Sequence, residues 1–296
     1  GVENSLNYIA KELIKIGHEV VVVSFSSLLS KENRFTYRNV NYITLPIEES
    51  LGAPMRLLRV RRAVKKYIKD LLLEFCPDQI WSRSTILAYC VSKLGISIPI
   101  TQIYATTAFL HTKGTYFTED KLGFVKRLKF MIYFMMDYPT MFLIEKYLVK
   151  YSKSVVFSDL MVEQLSKSYS KIKELQKIHP GLDHSIFSLE NARCLQTIFE
   201  KEFPKLKEGY LLYVGRLSSA KNIDLLLEGY AKSEKSIPLV LVGDGSHKSF
   251  LIRKTLDLGI DNKVFFVGKQ SELLPAFYKI AKLTVLPSTI ETFGQV

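Results

Sequence analysis

The stretch Leu283-Thr-Val-Leu-Pro-Ser-Thr-Ile-Glu-Thr-Phe-Gly-Gln-Val296 sets the reading of the whole chain. Leu283 to Leu286 is a short apolar run with the character of a buried strand, and it stops at Pro287. A polar loop then presents one carboxylate, Glu291, and Gly294 permits a tight turn into a helix start. Strand, acid-bearing loop, glycine and helix start is how an α/β domain offers backbone N–H groups and a carboxylate to a polar, often phosphorylated ligand. The chain starts at Gly1 rather than Met and stops at that helix start, so the expectation is a fragment of a longer protein.

The same grammar repeats upstream. Strand Tyr210–Val214, helix Ile223–Tyr230, strand Leu239–Val242, helix Ser249–Leu258, strand Val264–Val267 and helix Glu272–Ala281 lead into strand Leu283–Leu286. The first three strands run into Gly215, Gly243 and Gly268. An earlier series has helical spacing at Leu6, Ile9, Ala10, Leu13 and Ile14, then strands at Val20–Phe25, Asn41–Leu45, Gln79–Ser82, Ile100–Tyr104 and Ser154–Phe157. Such alternation predicts an α/β protein, with two Rossmann-like domains of mainly parallel sheet facing each other across a cleft. The charged stretch with an uncertain helix, Glu190 to Phe203, followed by Pro204 places the linker at 188–208, between domains at 1–187 and 209–296.

With 296 residues and 47% hydrophobic content, the chain can bury enough core for two domains. Cys76, Cys90 and Cys194 lie far apart without a CxxC pair, which fits neither a disulfide framework nor a zinc site and points to the cytoplasm. The net charge of +12 suggests an anionic partner. Arg56, Arg59, Arg61, Arg62, Lys65, Lys66 and Lys69 alternate with apolar residues in an amphipathic helical pattern. The first reading is a solvated helix face. The second is a patch on anionic lipid headgroups, with a peripheral place at the inner face of the membrane. No RNP, helix-turn-helix or zinc motif accompanies the charge, so nucleic acid is not expected. Phe130 to Ile144 is strongly apolar, but Asp137 and Pro139 interrupt it and Glu145 and Lys146 close it. Two core helices meeting near Pro139 are expected there, with an exposed apolar face gripping a membrane or lipid acceptor as the alternative.

In Val214-Gly-Arg-Leu-Ser-Ser-Ala-Lys-Asn-Ile-Asp-Leu-Leu-Leu-Glu-Gly-Tyr230, Arg216 and Lys221 occupy a strand-to-helix loop. Two cations near a helix N-terminus suit a diphosphate, although such a pair alone reads more simply as surface charge. The pair is followed by Val242-Gly-Asp-Gly-Ser, Phe266-Val-Gly-Lys-Gln and Pro287 to Gly294. This ordered set resembles the retaining nucleotide-sugar glycosyltransferases of family 4, which have the GT-B fold. Gly1-Val-Glu-Asn resembles the end of that family's GGxE loop, Val155-Val-Phe-Ser158 with Met161 and Leu165 its SxxxxxxL segment, and His179-Pro-Gly-Leu-Asp-His-Ser-Ile-Phe187 its crossover signature.

The resemblance implies a hexosyltransferase using a nucleoside-diphosphate sugar, acting on a glycan, lipid-linked or small acceptor with retention. The donor is a substrate; no cofactor and no metal are expected. Residues 1–187 become the acceptor-side domain, lacking its first strand, and 209–296 an incomplete donor-binding domain. Arg216 and Lys221 would bind the donor diphosphate, and Glu291, the first carboxylate of an E-x7-E motif, the sugar hydroxyls. Gly1 and Gly215 would let the donor approach backbone, and Phe293, Gly294 and Gln295 would offer N–H groups at the helix start. Asp244 either serves the nucleotide side or shapes its turn. The histidine that many relatives carry after the strand Ile100–Tyr104 has no direct match; Thr106 or Thr107 stands near its place, and His111 is either a catalytic histidine reaching the cleft from a later turn or a structural or exposed one. The alternatives are a nucleotide-sugar epimerase of the same fold, or a degenerate or truncated relative that binds nucleotide sugars without turnover.

Overall fold

The computed structural model describes residues 2–37, 39–48, 52–110, 112, 124–234, 237–288, 291 and 294. The chain divides into two compact units; among the described residues the first runs to 180 and the second from 181 to 294.

The first unit opens with α1 (Val2–Lys15), which ends at Gly17 with φ +94°, and continues into β1 (Val21–Ser26). β2 (Asn33–Tyr37) and β3 (Val40–Pro46) follow, with Asn39 at φ +63° turning the chain between them. β1 and β3 pair in parallel and β2 antiparallel to β3, in the order β1-β3-β2. Strand β2 was not visible in the sequence because all five of its residues are exposed and only Phe35 and Tyr37 are apolar in kind. Helices α2 (Ala53–Ala63) and α3 (Lys69–Phe75) run together through a π-type turn at Val64–Ile68. A second, wholly parallel sheet contains β4 (Ile80–Ser82), β5 (Ile100–Tyr104), β6 (Lys153–Val156) and β7 (Glu174–Lys177), in that order. Helix α4 (Thr85–Ser92) follows β4, α5 (Phe124–Tyr151) follows β5 and α6 (Asp159–Ser168) follows β6. Val60, Val64, Ile43, Leu45, Ile144 and Leu148 belong to one buried cluster. It draws on both sheets and on α2, the π-type turn and α5; Tyr104, Val149, Val156, Met161, Leu165 and Tyr169 form a second buried cluster between the parallel sheet, α5 and α6.

Helix α5 corrects one expectation. It is a single helix of 28 residues that runs through Pro139, not two helices meeting there. Proline removes one backbone bond and crowds the carbonyl of residue 135, a local penalty of about 3 kcal/mol. Met135 is exposed, so that carbonyl sits on the solvent side, and the Thr140 hydroxyl donates to the Met136 carbonyl at 3.0 Å. Burial of Met141, Ile144, Leu148 and Val149 in the following turns keeps the helix in place.

The second unit contains α7 (Leu189–Glu202), β8 (Leu211–Val214), α8 (Ile223–Lys232), β9 (Leu239–Val242), α9 (Lys248–Asp257), β10 (Val264–Gly268), α10 (Leu274–Ile280) and β11 (Leu283–Thr284). Its four strands are all parallel, in the order β10-β9-β8-β11. Strand β9 is buried along its whole length, as a central parallel strand covered on both faces must be. Strand β8 alternates accordingly: Leu212 and Val214 join Phe199, Tyr210 and Phe277 in one cluster, whereas Tyr213 joins Leu227, Leu241 and Leu251 in another. The segment 188–208 therefore carries a helix whose Phe199 is fully buried in this unit's core. Ser188 caps that helix, its hydroxyl accepting from the Asn191 N–H at 3.0 Å.

Candidate functional site at the carboxyl ends of the strands

Parallel pairing brings the carboxyl ends of β9, β8 and β11 to one edge, with β8 in the middle. The loops leaving them are stitched together through backbone. The Gly215 N–H donates to the Val242 carbonyl at 2.9 Å, and the Gly243 N–H to the Gly268 carbonyl at 2.7 Å. The Leu217 N–H donates to the Asp244 carbonyl at 3.0 Å, and the His247 N–H to the Leu217 carbonyl at 3.0 Å. Gly243 has φ +140°, and a Cβ there would overlap the Gly215 carbonyl oxygen; one at Gly245 would overlap the Leu217 carbonyl oxygen. Glycine is needed here for the close approach of two main chains. The Asp244 carboxylate accepts from the Gly245 N–H at 2.8 Å, so in this structure it is engaged in its own turn.

Beyond Gly215 the chain places Arg216 on the surface and Leu217 in the core. A short 3-10 turn, Ser219–Lys221, and Asn222 at φ +48° lead into α8. Lys221 Nζ lies 2.7 Å from Glu291 Oε2, their side chains 31% and 32% exposed. The other oxygen of Glu291 accepts from the Gly294 N–H at 3.3 Å, where Gly294 turns at φ +66°. One carboxylate thus ties the loop after β8 to the loop after β11. The Tyr213 hydroxyl donates to the Arg216 carbonyl at 3.0 Å. Burial first, and then the Glu291 charge, hold that hydroxyl far above the ordinary tyrosine range. Sequence reasoning passed over Ser288, whose buried Oγ has no hydrogen-bond partner and which sits three residues before Glu291. The strand before it differs from the buried run Leu283–Leu286 expected from the sequence: β11 is only Leu283–Thr284, and Leu283 and Leu286 are exposed, because among the described residues β11 is an outer strand of its sheet.

Gly1, His111, Phe293 and Gln295 lie outside the described residues. Arg216, Lys221, Glu291, Gly215, Asp244 and Gly294 all belong to the one sheet edge. Among the described residues, no group of three His, Cys, Asp or Glu side chains is arranged to hold a metal.

The first unit has its own polar locus at the carboxyl end of β5. Thr107 is buried and its hydroxyl accepts from the Leu110 N–H at 3.3 Å, whereas Thr106 is partly exposed. The Ala108 N–H donates to Glu145 Oε2 at 2.6 Å, and the Tyr169 hydroxyl to Glu145 Oε1 at 2.8 Å. Burial raises the Glu145 carboxyl to about 7 despite these two bonds. Asp137, eight residues earlier, accepts from the Ala53 N–H at 2.6 Å and so caps α2 from outside, where Gly52 offers no side chain. Ser158 caps α6 through the Met161 N–H at 3.4 Å, and Met161 and Leu165 are buried beneath it.

A parallel α/β sheet whose strand-end loops gather cations, a carboxylate and glycines has the charge and backbone N–H groups that a phosphorylated ligand requires. Residues 196–296 match the family of glycosyl transferases group 1. Across 99% of the chain and 64% of the relative, there is 26% identity to alpha-monoglucosyldiacylglycerol synthase of Streptococcus pneumoniae. Among solved structures, a sucrose-phosphate synthase from Thermosynechococcus elongatus superposes with a TM-score of 0.79 at 16% identity, covering 100% of this chain and 72% of that one. The Anabaena protein Alr3699/HepE, in complex with UDP and glucose, gives 0.69 at 16% identity over 100% and 73%. These likenesses show the GT-B glycosyltransferase fold, α/β with parallel sheets. In three of the curated relatives the matched stretch spans only 24%, 22% and 33% of their length.

Proposed function

We propose that the protein is a glycosyltransferase of family 4 type that moves a hexose from a nucleoside-diphosphate sugar to an acceptor with retention of anomeric configuration. The observation that carries this reading is the 2.7 Å pair between Lys221 and Glu291, which joins two motifs 70 residues apart at one sheet edge. Lys221 and Arg216 supply positive potential for a diphosphate, and Glu291 sits where a sugar hydroxyl can replace one of its partners. Charge that develops on the leaving diphosphate is greatest in the transition state, so both cations act mainly on the rate. Attack on the same face as the departing group gives retention. This reading assigns no covalent nucleophile, no metal and no cofactor. The acceptor is a glycan or a lipid-linked molecule at the cytoplasmic face of a membrane. A lipid acceptor is favoured by the likeness, across 99% of this chain and 64% of the relative, to alpha-monoglucosyldiacylglycerol synthase and by the basic residues of α2.

The test is calorimetric binding of UDP and UDP-glucose to Arg216→Ala and Lys221→Ala. Each variant should bind at least about 10-fold more weakly, as expected for loss of one charge-assisted contact. Unchanged affinity in both would overturn the phosphate assignment.

A further inference from the structure

Glu145 stands in the core of the first unit, 2% exposed, where a carboxylate is costly to hold. Among the described residues no cation balances it. Its two oxygens are divided between two chain segments: Oε2 takes the Ala108 N–H at 2.6 Å and Oε1 the Tyr169 hydroxyl at 2.8 Å. Phe142, three residues earlier on α5, stacks on the Tyr169 ring at 5.3 Å and holds it in place.

Ala108 is the first residue of the helical turn that follows β5. Thr107 caps that turn through the Leu110 N–H, and the Thr112 hydroxyl closes it on the Ala108 carbonyl at 2.7 Å. With Glu145 on the Ala108 N–H, three side chains fix the turn. Thr107 is buried and engaged in its cap, whereas Thr106, just before it, is partly exposed. Thr106 stands at the carboxyl edge of the parallel sheet, where open α/β sheets take their ligands. Its hydroxyl is the group that this framework presents.

The strands beneath carry a second polar feature. The Tyr104 hydroxyl, the Ser154 hydroxyl and the Gln102 carbonyl oxygen are buried and lack a partner of hydrogen-bonding geometry. Gln102 and Ser154 lie opposite each other on β5 and β6, and Tyr104 is two residues along on the same face. Such atoms in a native core call for an explanation. The Tyr104 and Tyr169 hydroxyls are close enough to act on each other and on Glu145. When Glu145 takes up a proton, its new O–H donates to Tyr169, and the Tyr169 hydrogen turns to the Tyr104 oxygen. The titratable groups facing Glu145 are Tyr104 of β5, Tyr169 at the end of α6 and, beside Tyr169, Tyr138 of its own helix. Burial holds the Tyr104 and Tyr169 hydroxyls far above the ordinary tyrosine range, and the described residues of the turn after β5 carry no charge.

We propose that Glu145 is a positioning residue for sugar transfer: its carboxylate pins the Ala108 amide, which fixes Thr106 at the carboxyl edge of the sheet, and its protonation loosens that anchor. The effect on turnover rests on the glycosyltransferase reading; the anchoring does not. Burial places the Glu145 carboxyl at about 7, so it changes state near neutral pH. The ionised form makes the stronger bond to Ala108, so the turn is tightest above pH 7 although the fold as a whole favours the proton.

The experiment has two arms, both on the full chain. In the first, NMR follows hydrogen exchange of the Ala108 amide from pH 6 to 8, corrected for the intrinsic rate. Protection should rise about fivefold in the parent chain, as a neutral acceptor becomes a charged one, and stay level in Glu145→Gln. In the second, UDP release from UDP-glucose is measured over the same range with water as the acceptor. The parent rate should rise about 10-fold as the turn tightens, with its inflection near 7. Glu145→Gln should stay at the low plateau without an inflection. Tyr169→Phe should move the inflection to higher pH, because it removes a bond that favours the carboxylate. A glutamate with a packing role alone would scale the rate by the folded fraction and leave the shape of the profile untouched. Level Ala108 protection in the parent chain, the same rise in Glu145→Gln, or an inflection that neither substitution moves would overturn the proposal. If UDP-glucose is not cleaved at any pH while Ala108 protection rises as stated, the enzymatic reading fails and the anchoring stands.

Discussion

Replacing Glu145 by Gln should change stability by an amount that depends on pH, and the structure gives both sign and size. The side chain is 2% exposed and accepts two bonds, from the Tyr169 hydroxyl and the Ala108 N–H. Burial outweighs them and lifts the carboxyl from 4.5 to about 7. Between those two values the native state holds a proton that the unfolded chain releases. Folding is therefore favoured at the acid end, and the advantage disappears as pH rises through 7. At about 1.4 kcal/mol per pH unit, the native state loses about 3 kcal/mol between pH 4.5 and 8 from this one group. Glutamine has no such dependence. Its single carbonyl oxygen cannot serve both donors, and the orphaned one costs about 1–3 kcal/mol at every pH. The parent chain should then exceed Glu145→Gln by about 1–2 kcal/mol near pH 5, and the two should come close or invert at pH 8. Urea unfolding of both proteins, followed by fluorescence of the single tryptophan, Trp81, measures the difference directly. A difference that stays constant from pH 5 to 8, or grows with pH, would refute the assignment of a buried, proton-holding carboxyl.

Two further outcomes follow from the second unit. Gly243→Ala drives a Cβ into the Gly215 carbonyl oxygen at a residue with φ +140°, so the sheet edge must open by moving backbone. A loss of about 3 kcal/mol or more is expected, visible as a lower thermal midpoint together with weaker UDP binding; a midpoint within a degree of the parent would contradict the packing described. Glu291→Gln removes an ion pair whose partners are each about one-third exposed, so stability should change by less than about 1 kcal/mol. Transfer from UDP-glucose should nevertheless fall by about 100-fold, and equal rates in the two proteins would remove Glu291 from the site.

What was legible in the sequence follows from burial. Leu239–Val242, enclosed on both faces, is an unbroken apolar run and was read at its true boundaries. Strands β2 and β7 were missed because Asn33–Tyr37 is wholly exposed and Glu174–Lys177 nearly so, which leaves no periodicity to detect. The pairing of Lys221 with Glu291 could not be read at all, since a contact across 70 residues depends on strand order. The loops that carry them were legible, because their glycines sit where main chains must nearly touch. Helix α5 was misread for a physical reason of wider use. A charge inside an apolar run was taken to break the run, and proline to divide it. Asp137 and Glu145 instead each accept a backbone N–H at the start of another helical segment, Ala53 and Ala108. Eight residues apart, they lie on one side of α5 and hold two chain segments to it. A carboxylate that has found backbone donors is compatible with a core, and here the two share the buried face of α5 with Met141, Ile144 and Leu148.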